Sequence, residues 1–143
     1  MDMQVGNFEA HVGFKKDFEL YVGPAREVDD WMRFAKELWE EVARTLRVPL
    51  GVPAAESPDG DECRYWFENS EISVSLYVGR PEPGAVERAP AILTAISRSY
   101  DVESWQLAEQ LYTRLVSVGG YLVAAFTDDG TPIAANFDIS DDW

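Results

Sequence analysis

The chain has 143 residues, 46% hydrophobic and 13% aromatic, enough apolar material for one sizeable core and too much for a disordered chain. Its 26 acidic and 12 basic residues give a formal charge of -14, which disfavours nucleic-acid backbones and anionic membrane surfaces and points towards a basic protein partner. Cys63 is the single cysteine, so no intramolecular disulfide can form, as in a reducing compartment.

Residues 1–10 contain no basic region followed by an apolar run, and no stretch approaches the ~20 apolar residues that cross a bilayer. The expectation is a soluble, cytoplasmic protein with residues 1–7 loosely ordered. Phe8, Ala10, Val12 and Phe14 alternate with polar neighbours, as do Phe18, Leu20 and Val22, with Lys15, Lys16 and Asp17 between the sets. One long bent strand or a hairpin turning at the lysines would both give this pattern. The turn lacks the glycine that tight hairpins favour, so a strand over residues 18–22 with a partner before it is the preferred reading.

At Gly23 and Pro24 the period changes. Val28, Trp31, Met32, Ala35, Leu38, Trp39, Val42 and Leu46 form one apolar stripe, predicting a long helix over residues 24–47. Pro24 suits a first helical turn, Glu27, Asp29 and Asp30 its positive end, and Arg44 and Arg47 its negative end. Residues 49–62 hold three prolines before Glu62 and read as an acidic loop carrying Glu56, Asp59, Asp61 and Glu62.

A two-residue turn at Asn69 and Ser70 would pair Phe67 with Ile72, Tyr65 with Val74 and Cys63 with Leu76, all on one face. Arg64, Trp66, Ser73, Ser75 and Tyr77 would occupy the other face, with Glu68 opposite Glu71. After a loop over residues 81–90, Ile92, Thr94, Ile96 and Arg98 alternate with Leu93, Ala95 and Ser97, predicting the third strand of a meander. Asp101 or Ser104 can cap a second helix that buries Trp105, Ala108, Leu111, Tyr112, Leu115 and Val118 and stops at Gly119. Asp129 and Gly130 suit a type I′ turn pairing Phe126 with Ile133, Ala124 with Ala135 and Leu122 with Phe137, while Pro132 demands an edge position. Residues 139–143 read as a loose tail.

The order β-α-β-β-β-α-β-β describes a single α+β domain spanning residues 1–143. Its antiparallel sheet of five to six strands carries two amphipathic helices packed on one face. The other sheet face is expected to be solvated.

No catalytic constellation stands out. His11 has no Cys or second His at metal spacing, and Cys63 falls on the core face with only His11 available as a base. Asp128 and Asp129 belong to a turn without the ligand spacing of a calcium loop. Gly79, Gly84, Gly119 and Gly120 make no phosphate loop. The expectation is a non-enzymatic protein without metal or cofactor.

Charge and aromatics supply the remaining signal. Glu37, Glu40 and Glu41 lie on the outer side of the first helix, and with Asp59, Asp61, Glu62, Glu68 and Glu71 they predict an acidic surface for a basic partner. Trp66 and Tyr77, on the solvated sheet face, are aromatic anchors of the kind interfaces use.

The strand ending in Phe18-Glu19-Leu20-Tyr21-Val22, the long helix, the hairpin over residues 64–78, the second helix and the closing Asp-Gly hairpin together resemble the small acidic immunity proteins of bacterial polymorphic-toxin systems. The resemblance implies a cytoplasmic protein that neutralises a cognate toxin domain by direct contact, and it transfers no functional residues. Two other readings are an adaptor subunit, dimerising through the Trp66 and Tyr77 face, and a small-molecule-binding domain.

Overall fold

Phe18, Leu20 and Val22 alternate with Glu19 and Tyr21 in a strand, β1 (Phe18–Pro24), that lies inside the sheet with neighbours on both sides. The computed structural model describes residues 8, 18–49, 54–56, 62–79, 88–127, 129–137 and 139. Among these residues seven antiparallel strands form one sheet in the order β2-β3-β4-β5-β1-β6-β7. Six of them, β1, β3 (Cys63–Glu68), β4 (Ile72–Val78), β5 (Ala91–Ser97), β6 (Tyr121–Thr127) and β7 (Pro132–Ala135), are the expected strands. The seventh, β2 (Ala54–Glu56), is a three-residue edge within the segment expected to be loop.

The first helix, α1 (Trp31–Leu46), starts seven residues later than its stripe suggested. Pro24 pairs with Tyr121, and the Ala25 N–H donates to the Gly120 carbonyl at 2.9 Å, so the sheet still holds the chain where a helix was expected. The start falls at Asp30, whose extended backbone lets its carboxylate accept the Met32 and Arg33 N–H groups, both at 3.1 Å. At the far end Arg47 adopts φ 60, a left-handed conformation, and the Val48 N–H reaches back 2.9 Å to the Ala43 carbonyl.

The second helix, α2 (Ser104–Val118), is capped by Glu103 rather than Asp101 or Ser104. The Glu103 N–H donates to Gln106 Oε1 at 2.8 Å, and the Glu103 side chain accepts a backbone N–H of the first turn, a capping box. Leu107, Ala108, Leu111, Tyr112 and Leu115 are buried, whereas Trp105 is half-buried and Val118 exposed.

Both helices cover one sheet face. Phe34, Leu38, Trp39 and Val42 of α1 and the apolar side of α2 share a core with Phe18, Leu20, Val22, Cys63, Val74, Leu76, Leu93 and Val123. Tyr65 and Phe67 pack against it, and Trp39 stacks on Tyr65 with centroids 5.5 Å apart and planes 11° from parallel. Phe8 joins this core, its ring 5.9 Å from that of Tyr112. His11 and residues 15–17 lie outside the described residues.

The β3–β4 register differs from expectation by two residues: Phe67 faces Val74, Tyr65 faces Leu76 and Cys63 faces Val78. The Asn69 side chain accepts the Glu71 and Ile72 N–H groups, at 2.8 and 2.9 Å, and widens the turn. A two-residue shift is one full pleat repeat, so every side chain keeps its face.

The closing hairpin departs further. Ala124 faces Ala135 as expected, but a bulge between Ala125 and Phe126 sets Phe126 opposite Pro132 instead of Ile133. Gly130, at φ 86, donates to the Thr127 carbonyl at 3.0 Å, and the Thr131 N–H bonds Asp129 Oδ1 at 3.2 Å. A longer turn with a left-handed glycine therefore replaces the two-residue turn. Pro132 opens the edge strand β7, where its missing N–H costs no ladder bond.

The core gives two expectations. Leu38 has no exposed surface, so Leu38→Ala should cost roughly 2–5 kcal/mol in denaturant titration with an unchanged slope. Burial raises the pKa values of Tyr21, Tyr112 and Tyr121, with Glu19 adding to the first and Glu37 and Glu41 to the last. Below about pH 10 both folded and unfolded states keep these phenolic protons; above it the unfolded chain ionises first, so stability falls as pH rises. The thermal midpoint should fall as pH rises beyond ~10, and the native phenolate absorbance titration should lag that of the denatured chain.

Candidate interaction surface

The sheet face away from the helices is divided. On one half Ala124, Phe126 and Ala135 are buried with Ala89, Phe137 and Ile139, and Tyr21 and Leu122 pack against them. The cover comes from the segment before β5 and the chain after β7. Arg88 sits 5.2 Å from the centroid of the Phe137 ring, a cation–π contact that ties the two covering segments together. A Cβ on Gly23 would lie 1.8 Å from the Arg88 carbonyl oxygen, so only glycine lets the cover approach β1 this closely. The expectation of one fully solvated sheet face therefore fails here. Five consecutive residues of β6, from Val123 to Thr127, are buried because both sides of the strand are covered.

The other half carries the aromatic pair. The register aligns Trp66, Ser75, Thr94 and Glu19 in one row, and Arg64, Tyr77, Ile92 and Tyr21 in the next. Trp66 is 41% exposed and Tyr77 38%, large fractions for aromatic rings on a sheet. Small Ser73 and Ser75 beside Trp66 leave a depression of about 440 Å³, bounded also by Arg64 and Glu68. The ring of Tyr77 lies across Gly79, where an added Cβ would come within 3.0 Å of it. Tyr100, in the loop after β5, is fully exposed. Sequence reasoning passed it over, although an aromatic between Ser99 and Asp101 has no apolar period to place it inside.

Among the described residues, the acidic side chains do not form one free surface. Glu41 is turned towards α2: its carboxylate receives Arg44 Nη1 at 3.1 Å and Arg114 Nε at 3.0 Å, and its side chain is only 15% exposed. Glu37 is exposed and pairs with Arg33 one turn earlier at 3.1 Å; Glu40 is partly exposed on α1. Glu68 faces Ser73, not Glu71, and is ion-paired with Arg98, so the expected like-charge opposition at the turn does not exist. Glu71 and Glu62 are exposed, and Asp59 and Asp61 lie outside the described residues.

Cys63 is buried on the helix side of β3. Among the described residues no group of three or more His, Cys, Asp or Glu side chains is placed to hold a metal ion, and no helix is long and apolar enough to cross a membrane. Comparison with protein-family models, curated proteins and solved structures gives no match to this chain.

The separate placement of Glu37 and Glu41 is measurable. Removing the Glu41 carboxylate leaves two guanidinium groups facing each other, so Glu41→Ala should cost roughly 1–3 kcal/mol. Glu37→Ala, which breaks one exposed pair, should cost under about 1 kcal/mol. Equal losses in thermal unfolding would show that Glu41 does not clamp the helices.

Proposed function

We propose that this chain is a non-enzymatic binding protein of the immunity type, one that works in the cytoplasm by occupying a cognate, basic toxin domain with the half of its sheet that carries Trp66 and Tyr77. The observation that carries this reading is the division of that face. Among the described residues, folding covers one half with Ala89, Phe137 and Ile139 and leaves Trp66 and Tyr77 partly exposed on the other. Partly exposed aromatics beside small polar residues offer a partner contact area at little conformational cost.

The net charge of -14 adds long-range attraction to a basic partner. With Glu41 and Glu68 each ion-paired to arginines of the same chain, that attraction comes from the field of the whole molecule rather than from one acidic patch. Steering of this kind sets the association rate, and burial of Trp66 sets the dissociation rate.

The test uses the basic C-terminal domain of a large protein encoded in a neighbouring reading frame. Trp66→Ala should weaken binding about 30-fold or more, mainly through faster dissociation. Reversing Glu37 and Glu40 to lysine should slow association and flatten its salt dependence. Undiminished affinity in Trp66→Ala would move the interface off the sheet. The adaptor reading, a homodimer through the same face, instead requires that Trp66→Ala change the sedimentation coefficient with no partner present.

A further inference from the structure

On the opposite side of the molecule, the outer surfaces of α1 and α2 flank an open groove of about 750 Å³. Its charge runs against that of the chain. Arg44, Arg47 and Arg114 line it, and Glu109 is the one acidic residue among its lining. Glu41, beneath the pair, takes Arg44 on one oxygen and Arg114 on the other, drawing two guanidinium groups together. Each guanidinium spends one N–H on that carboxylate and has others to offer, and both side chains stay more than half exposed. One negative charge thus organises two positive ones and leaves a net positive site.

Arg47 adds an independent observation. It is the only non-glycine residue with positive φ among the described residues, at a helix terminus where glycine is the low-cost choice. A positive charge at the helix C-terminus recovers part of that cost. Arg47 thus adds a third arginine to the lining of the groove.

The remaining lining defines the shape of the occupant. Gln106, Gln110, Thr113 and Ser117 follow at four- and three-residue steps, so α2 presents a stripe of amides and hydroxyls along the groove. From Trp105 to Ser117 the helix rises about 18 Å, the length of five or six extended residues. The groove is open along its length and does not enclose a small ligand. Side-chain amides can bond the backbone of an extended strand, and the arginines can take carboxylates at its alternate positions.

We infer that the groove between α1 and α2 binds an extended acidic peptide segment of a partner protein. This goes beyond the sheet-face reading and does not depend on it, since the two surfaces lie on opposite layers. The protein then has two docking faces of opposite character, one aromatic and one basic.

The test is a titration of the ¹⁵N-labelled full chain with an end-capped hexapeptide of alternating glutamate and alanine, followed by amide shifts. Shifts should be confined to residues 44–47 and 105–117, and affinity should fall about fivefold or more between roughly 50 and 300 mM salt. Arg47→Gly suits φ 60, so it should keep the thermal midpoint within a few degrees while weakening the peptide about fivefold or more. Trp66→Ala should leave peptide binding unchanged, which separates this site from the sheet face. Absence of shifts at millimolar peptide, unchanged affinity in Arg47→Gly, or equal binding of a lysine–alanine hexapeptide would overturn the assignment. So would inorganic phosphate that displaces the peptide at equal concentration, because the groove would then be a general anion site.

Discussion

Burial on both sides of β6 is the constraint on which the rest of the structure depends. Val123 and Ala125 belong to the helix-side core, while Ala124 and Phe126 belong to the cluster on the opposite face. A strand apolar on both sides needs two covers, since each uncovered large side chain forfeits about 1.5–3 kcal/mol of burial. The helices supply one cover, and the segments around Arg88 and Phe137 supply the other. That second cover extends as far as Tyr21 on β1 and no further among the described residues. The half with Trp66 and Tyr77, partly exposed among the described residues, is therefore the part of the face that β6 does not oblige the chain to protect.

Period and punctuation in the sequence revealed most of the fold. Strands β1, β3, β4 and β5 follow their period-two alternation, both helices follow their stripes, and the α+β arrangement with helices on one face follows from element order. Local hydrogen bonding decided the rest. The start of α1 was missed because the stripe extends back to Val28, whereas the Asp30 cap and the Pro24–Tyr121 pairing set the boundary. The Asn69 side chain widened a turn that alternation alone could not size. Asn136 completes β7 in a way no pattern announces: its side chain accepts the Val123 N–H at 2.7 Å and donates to the Tyr121 carbonyl at 2.9 Å. The run Leu122-Val123-Ala124-Ala125-Phe126 did contain a legible signal, because an unbroken apolar strand marks burial on both faces.

The candidate sites were less legible, for an electrostatic reason. Counting acidic residues along α1 cannot tell Glu37, on the exposed flank, from Glu41, one turn later but beneath Arg44 and Arg114. The same carboxylate that seemed part of an acidic surface instead gathers positive charge. Arg114 lies 73 positions from Glu41 in the chain, so no local pattern joins them. Trp66 and Tyr77 could be placed earlier because strand alternation fixes the face of a side chain, even in a register two residues out.

The position of β1 also governs how the chain reaches its fold. Phe18 pairs with Ala95 on one side and Thr127 on the other, so both neighbours of this strand are made long after it. During synthesis the segment leaves the ribosome as a strand with two unsatisfied edges, and neither is filled until β5 and β6 follow. The β3–β4 hairpin, by contrast, closes through a local turn, and β4 pairs with β5 thirteen residues on, so these three strands can form first and present β5 as a template for β1. Closing loops of this length costs chain entropy before the pairing of β1 repays it, which slows folding relative to a chain of local contacts. In that interval an apolar strand that must end in the middle of the sheet waits at its margin, where a chaperone or a second nascent copy can pair with it.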